Sequence, residues 1–319
     1  MKMQWLAVAS AIAAWTASTT AQKVPSKTAS YALAYQNVVS AYRDLPMFVL
    51  PDARVTIDAV GGPAGDYGMT TGEGISEQVG ERRWRWTAPS RPGAATLRFH
   101  GPATAGDKDE IVVHVFVMVP ASAVTNGLLN GYRIGSYPPP LHGSPVYRPP
   151  AGFIEVTHEN ENTPLSPHFR LKQFICKEDT TKTFPKYVVL QEPLLLKLEA
   201  VLERVNALGF KVDTLHVMSA YRTPYYNHAI GDVKYSMHQF GGAADVYVDR
   251  DRKDRMDDLN HDGVVDVRDS KFLYDQIESM MSESALRKFE GGLGFYRGTA
   301  AHPPFVHMDV RGTPARWQG

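Results

Sequence analysis

Two segments far apart in the chain place the strongest constraint on its fold. One is His238-Gln239-Phe240-Gly241-Gly242-Ala243-Ala244-Asp245 and the other Phe305-Val306-His307-Met308-Asp309. Ala243 to Asp249 and Pro304 to Val310 both read as short strands. Side chains alternate faces along a strand, so Asp245 can point into a cleft that His307 enters from a neighbouring strand. The paired glycines let the backbone between His238 and Asp245 turn tightly. Two imidazoles and a carboxylate have the composition of a catalytic zinc site, which takes three protein ligands and leaves a fourth position open. An isolated His–Asp pair is more often a hydrogen-bonded structural pair. Here a further polar block, Ser219-Ala220-Tyr221-Arg222-Thr223-Pro224, joins them as a strand end running into a turn.

Glu192 to Leu208 is the clearest helix. Leu194, Leu195, Leu198, Val201, Leu202, Val205 and Leu208 form an apolar stripe at helical period, which reads as core, and Gly209 is placed to end it. Leu165 to Phe174 is helix-prone, with Ser166 as a cap before Pro167. Lys211 to Ser219 follows as a strand that delivers Arg222 to the cleft. Helices packed on a small, mainly antiparallel sheet give an α+β domain over residues 165–319.

Upstream the pattern changes. Residues 31–119 read as all-β, because Arg54-Val-Thr-Ile-Asp alternates, Trp84 and Trp86 stand at period two, and Ala95 to Phe99 and Ile111 to Val119 are rich in strand formers. Trp86-Thr-Ala-Pro followed by Pro-Gly and a strand resembles bacterial immunoglobulin-like modules, so residues 22–120 are expected to form a small β-sandwich. The two tryptophans share a face; a packed core is the expectation, a sugar-binding platform the alternative. Residues 121–164 form a Pro/Gly-rich connector, extended over a domain surface or lending a hairpin from the Asn130 region to the catalytic domain.

At 319 residues the chain can bury two separate cores. Lys plus Arg and Asp plus Glu both number 34, so no net field favours nucleic acid. Met1 to Ala21 reads as a secretory signal peptide, with an apolar run too short to span a membrane, so an exported, periplasmic or extracellular protein is expected. Cys176 is the only cysteine. It reads as a small hydrophobe rather than a nucleophile.

A second ion site of different chemistry is legible. Asp258, Asn260, Asp262, Asp266 and Asp269 fall at positions one, three, five, nine and twelve of an EF-hand or dockerin-like loop. Gly263 takes the sharp-turn position, Val264 would give its carbonyl, and Val265 would pack inward. Calcium prefers this all-oxygen set. The bland alternative is a solvated acidic turn. Asp269 replaces the usual Glu, and a helix carrying Phe272, Leu273, Ile277, Met280 and Met281 follows. The loop occurs once, which speaks for an insertion that rigidifies the domain rather than a scaffold-docking pair.

Ser-Ala-Tyr-Arg222-Thr-Pro, Ser236-x-His238 with Gly-Gly-Ala-Ala-Asp245, Gly294-Phe295-Tyr296 and Phe-Val-His307-Met-Asp309-Val-Arg-Gly together resemble the D-alanyl-D-alanine carboxypeptidase-type (M15) zinc metallopeptidases, with the YcbK-like murein endopeptidases as the nearest branch. The resemblance runs from about Leu165 to Gly319. It implies a zinc peptidase acting on peptidoglycan peptides, with His238, Asp245 and His307 as ligands and Arg222 as the arginine that binds substrate or stabilises the transition state. Tyr221, Asn227 and Tyr296 are expected to line the cleft. One departure stands out. Many of these enzymes carry a general-base Glu three residues before the last ligand, and others a His two before it; here those positions hold Pro304 and Phe305. Asp309, on the same strand face as His307, is the first candidate base and His302 the second; Asp309 could equally be an outer partner that orients the ligand His. Endopeptidase and carboxypeptidase activity both remain open. So do two non-enzymatic readings: an inactive zinc-containing wall-binding module, and a wall adhesin led by the sandwich.

Overall fold

Apolar alternation along strands builds the N-terminal half. The computed structural model describes residues 27–102, 109–178, 183–283 and 286–319; the expected signal segment, Met1 to Ala21, lies outside them. Nine strands come first: β1 (Thr28–Tyr35), β2 (Val38–Tyr42), β3 (Asp44–Val49), β4 (Arg54–Val60), β5 (Gly68–Thr71), β6 (Ile75–Gly80), β7 (Arg83–Thr87), β8 (Gly93–His100) and β9 (Glu110–Val117). They form two sheets, ordered β2-β1-β4-β7-β6 and β3-β9-β8-β5. All pairs are antiparallel except β3 with β9. Every second residue of β4 faces inward, so Val55 and Ile57 sit opposite Trp86 and Trp84 on β7 and share one core with Leu97, Phe99, Val113 and Val115 of the other sheet. Both tryptophans are buried, and Trp86 Nε1 donates to Glu73 O at 3.0 Å. They are core, not a sugar platform.

The proline-rich stretch that follows is more structured than its composition suggests. β10 (Val119–Pro120) pairs with β13 (Gly152–Val156), which pairs with β14 (Lys186–Val188), and β11 (Leu128–Leu129) with β12 (Tyr132–Arg133) forms a small hairpin. Leu129, Ile134, Phe153, Ile154 and Val156 enter the core of the C-terminal half. The segment expected to begin a helix at Ser166 does not. Leu165 and Ser166 N both donate to Phe169 O, at 2.9 and 3.4 Å, and only Leu171–Phe174 winds into a 3-10 turn. The tight turn around Pro167 competes with helix geometry there.

α1 (Glu192–Ala207) carries the expected stripe, with Pro193 tolerated in its first turn. Leu194, Leu195, Leu198, Val201, Leu202 and Val205 face the C-terminal core, whereas Leu196 faces the sandwich core. Leu208 lies past the helix and is exposed, and Gly209 follows at φ +99°. The helix is therefore shared between the two halves. β15 (His216–Ser219), β16 (Ala243–Tyr247), β17 (Gly292–Tyr296), β18 (Phe305–Asp309) and β19 (Ala315–Gln318) form a sheet ordered β15-β16-β18-β17-β19, antiparallel except β17 with β19. The strand expected from Lys211 starts only at His216, because Lys211 adopts φ +53° and the chain is still turning. Two further helices complete this α+β half: α2 (Pro224–Ala229) and α3 (Val267–Met281).

Candidate metal centre

Register sets the site. Asp245 on β16 lies directly opposite His307 on β18, so alternation places both side chains on one sheet face. His238 arrives from a single 3-10 turn, Met237–Phe240. Gly241 ends that turn at φ +67°, where a Cβ would collide with the Val189 carbonyl, so only glycine lets the chain reverse so close to the end of β14. Arg222 N donates to His238 O at 3.2 Å and ties the turn to the Ser219–Pro224 block. Tyr137 and Tyr147, from the connector, pack on Phe240 and hold the turn from the other side.

The three side chains converge. His238 Nε2 lies 3.2 Å from Asp245 Oδ1 and 3.1 Å from His307 Nδ1, and His307 Nδ1 lies 2.8 Å from Asp245 Oδ1. Outward hydrogen bonds fix the tautomers. His238 Nδ1 donates to Ala220 O at 2.6 Å, and His307 Nε2 donates towards Asp309 Oδ2 at 3.4 Å. Both inward nitrogens are then lone pairs that face a carboxylate oxygen. Three acceptors crowded together in a buried place repel one another unless a cation sits among them. Zinc–ligand lengths of about 2.0–2.2 Å separate two ligands of a tetrahedral ion by roughly 3.3 Å, so the donor set fits that ion.

Electrostatics agree. Burial alone would push the Asp245 carboxyl up, but His238 and His307 outweigh it and hold the group well below the carboxylate range. Burial pushes His238 down, so it is neutral near pH 7. Burial also pulls on His307, but the Asp245 and Asp309 carboxylates favour its protonated form and raise it, so a proton on Nδ1 competes with a metal ion for the same place.

Asp309 is fully buried behind His307. Its carboxylate accepts from Gly292 N at 2.7 Å, from Arg311 N at 3.0 Å and from the Arg311 guanidinium. It touches the His307 nitrogen that points away from the other two ligands, which is the position of an outer partner that orients a ligand rather than of a base at the centre. Beneath it, the buried Lys197 of α1 donates to Asp309 O at 2.9 Å, and burial lowers that ammonium to about 8.

A cleft of about 760 Å³ opens over the triad, with Arg222, Asp232, Tyr296, His302, Arg311 and Trp317 in its wall. Arg222 commits one N–H of each of its three nitrogens. It donates to Asp245 Oδ2 at 2.5 Å, to Asp232 Oδ2 at 2.7 Å and to Ser219 Oγ at 2.9 Å. His302 Nδ1 donates to Pro303 O at 3.0 Å, which leaves Nε2 as the acceptor. Tyr296 lines the cleft as expected, but Tyr221 and Asn227 do not. Tyr221 is buried with its hydroxyl 3.0 Å from that of Tyr137, and Asn227 is buried with Nδ2 donating to Val233 O at 3.1 Å. The turn at Arg222 and the short α2 direct them into the interior. Cys176 is buried and unpaired, as expected of a small hydrophobe.

Sequence reasoning missed Trp317, Arg311 and Asp232. The indole of Trp317 stands 5.1 Å from the His307 ring, and its Nε1 donates to Tyr296 Oη at 2.6 Å. A signal was available: Gly294 lies opposite Trp317 in the parallel register, and a Cβ there would strike the indole. A glycine in mid-strand marks such a close approach.

The acidic loop is closed on itself. Asp258 accepts from Asp262 N at 3.2 Å and Gly263 N at 2.8 Å; Asn260 accepts from Asp262 N at 2.9 Å, and Asp262 from Val264 N at 3.0 Å. Arg268 reaches in, 2.6 Å from Asp262 and 2.8 Å from Asp266. Asp266 caps α3, and the buried Asp269 accepts from Leu259, Asn260 and Asp266 N at 2.7, 3.2 and 2.8 Å. Gly263 has the left-handed φ of +86° its position requires. Val265 was expected to pack inward and is instead 43% exposed; a single loop has no sister loop to pack against.

Residues 167–272 match a family model described as Peptidase M15. The match contains Arg222, His238 and Asp245, and supports an M15-type metallopeptidase for this part of the chain. His307 lies beyond it, and the sheet brings it in. No curated protein matches. A solved structure, a Bacteroides ovatus GH5 xyloglucanase in complex with a XXXG heptasaccharide, matches at 20% identity over 27% of this chain and 19% of that chain, with a TM-score of 0.17, and carries no argument. No helix among the described residues is long and apolar enough to cross a membrane.

Proposed function

We propose that this protein is a zinc-dependent peptidase that hydrolyses peptide bonds in peptidoglycan stem peptides or cross-links, in the manner of the YcbK-like branch. The observation that carries this reading is the meeting of His238 Nε2, Asp245 Oδ1 and His307 Nδ1 within 2.8–3.2 Å at the floor of an open cleft. When bound, zinc supplies Lewis-acid polarisation of the scissile carbonyl and eases deprotonation of the attacking water. Asp309 orients His307 from behind and, with its lone pairs committed to Arg311 and Gly292, does not act as the base. His302 takes that role, receiving the proton at Nε2 from the cleft wall. Arg222 fixes the second oxygen of Asp245 and presents its edge to the substrate carbonyl. Tyr296 and Trp317 give the peptide an aromatic floor. The Asp258–Asp269 loop holds calcium once Arg268 swings out, and stabilises the domain. The protein acts after export, in the periplasm or outside the cell, with the sandwich of residues 22–120 preceding the peptidase domain of residues 165–319.

Digestion of purified peptidoglycan followed by mass spectrometry of the new peptide ends tests this. Cleaved stem peptides or cross-links that appear with wild type and not with His238→Ala support it; intact muropeptides with zinc-loaded protein sink it. A second reading draws on Pro304 and Phe305, which stand where relatives place a base: a zinc-containing wall-binding module without turnover. Zinc-loaded protein that sediments with the wall and releases nothing would select it.

A further inference from the structure

We infer a second divalent-cation site, formed by His216 Nδ1, Asp249 and Asp254, on the same sheet face as the triad. His216 on β15 lies opposite Tyr247, the last residue of β16 and two from Asp245, and Asp249 follows two residues past the strand end. The two groups share no donor atom and stand at opposite ends of that stretch, so the sites are separate. The imidazole is held by stacking on Tyr247, with ring centroids 4.3 Å apart and planes 10° from parallel. Asp249 is fixed too: its side chain is 3% exposed, Oδ1 accepts from Lys253 N at 2.9 Å and Oδ2 from Asp254 N at 2.8 Å.

What marks the group is its spacing. His216 Nδ1 lies 3.9 Å from Asp249 Oδ2 and 3.7 Å from Asp254 Oδ1, and the donor atoms all fall within 4.8 Å of one another. Those separations are too long for hydrogen bonds. They are slightly wider than the roughly 3.3 Å between two ligands of a tetrahedral ion, a gap that a small rotation of the exposed Asp254 side chain closes. Burial lowers the imidazole pKa, so its lone pair is available near pH 7. One imidazole and two carboxylates suit a borderline ion such as zinc or manganese rather than calcium. A pocket of about 410 Å³ opens beside the group, with room for water to complete the shell.

Basic residues line this pocket as well. Arg252 is drawn to Asp213 at 3.3 Å and Arg250 to Asp251 at 4.0 Å. Lys211 stands at the rim, and Lys177 is the cation whose charge opposes that of His216. The site is therefore weaker than the triad, and removing the Lys177 charge strengthens it.

The test is equilibrium dialysis of the full chain against zinc in millimolar calcium, which keeps the acidic loop occupied. In a His238→Ala background, which cripples the triad, one zinc ion per chain is expected to remain. His216→Ala in that background removes it, and Lys177→Gln tightens it several-fold. Circular dichroism checks that each variant is folded, and Asp254→Ala, on an exposed side chain, repeats the loss should His216→Ala disturb β15. No zinc in the His238→Ala background, or binding that survives both His216→Ala and Asp254→Ala, overturns the site.

Discussion

The buried triad and the exposed acidic loop are two ways of gathering ligand atoms, and they differ in what satisfies those atoms without an ion. In the triad, hydrogen bonds run outward, from His238 to Ala220 and from His307 to Asp309, and leave the inward lone pairs facing one another. In the loop, hydrogen bonds run inward: backbone N–H groups donate to Asp258, Asn260, Asp262 and Asp269, and Arg268 supplies a cation of its own. The first arrangement is preorganised and costly without a metal. The second is content without one, so any ion must displace partners already in place. Affinity should follow this difference, high and rigid in one place, modest and adjustable in the other.

The largest expected effect breaks the triad. His238→Ala or His307→Ala should remove the tightly held zinc ion, leaving only the weaker ion of the His216 group, and bring turnover to background, because a catalytic zinc needs all three ligands. Metal analysis after desalting, beside a peptidoglycan digest, reads both. Tight zinc with full turnover in either variant would remove the assignment. Next in size is Asp309→Asn. An outer partner of a ligating histidine is worth about 10–100-fold in metal affinity, and that loss is expected in a chelator competition. The acid side sharpens the point. Ligands must be deprotonated to bind, and His307 is the member of the triad whose pKa is raised, so acidification should release zinc by protonating His307 first while His238 stays neutral. Asp309→Asn weakens a bond that raises His307. Relative to its own affinity at neutral pH, the variant's decline with acid should then begin at lower pH, even though that affinity has fallen. A relative decline that begins at higher pH than in wild type would contradict the orientation role.

The two regions were not equally legible. The triad could be read because strand alternation and the His238, Asp245 and His307 identities fix its face and chemistry. The role of Asp309 was legible only as a choice between base and orienting partner; that it lies behind His307 depends on Arg311 and Gly292 capturing its carboxylate, a matter of side-chain packing. The sequence places Tyr221 and Asn227 at the cleft, but a turn and a short helix reverse the chain there. The loop spacing and its glycine were plain. That Arg268 would occupy it was not, since a residue at the start of α3 folding back over the loop leaves no periodic signature. The α+β class was legible from the Glu192 helix and the short strands around it. The sharing of that helix with the sandwich core, through Leu196, rests on a residue that a single-stripe reading leaves aside.

Smaller effects probe the loop. Calcium that binds only the folded chain should raise the melting temperature, by about 2.7 kcal/mol of stability at a hundred times the dissociation constant. Asp262→Ala should abolish the rise. A melting curve that ignores millimolar calcium after thorough chelation would leave the acidic turn without an ion. Most delicate is Arg268→Ala. The guanidinium contacts Asp262 and Asp266 at 2.6 and 2.8 Å and is 57% exposed, so it makes surface ion pairs that contribute little to the calcium-free fold. Its removal should cost little stability without calcium. It should also spare calcium the work of displacing a cation, and tighten binding by a similar energy, a few-fold in affinity. Isothermal titration of wild type and Arg268→Ala at equal ionic strength measures this. Weaker calcium binding in the variant would mean that Arg268 shapes the loop rather than competing for it, and the contrast with the triad would then rest on the backbone donors alone.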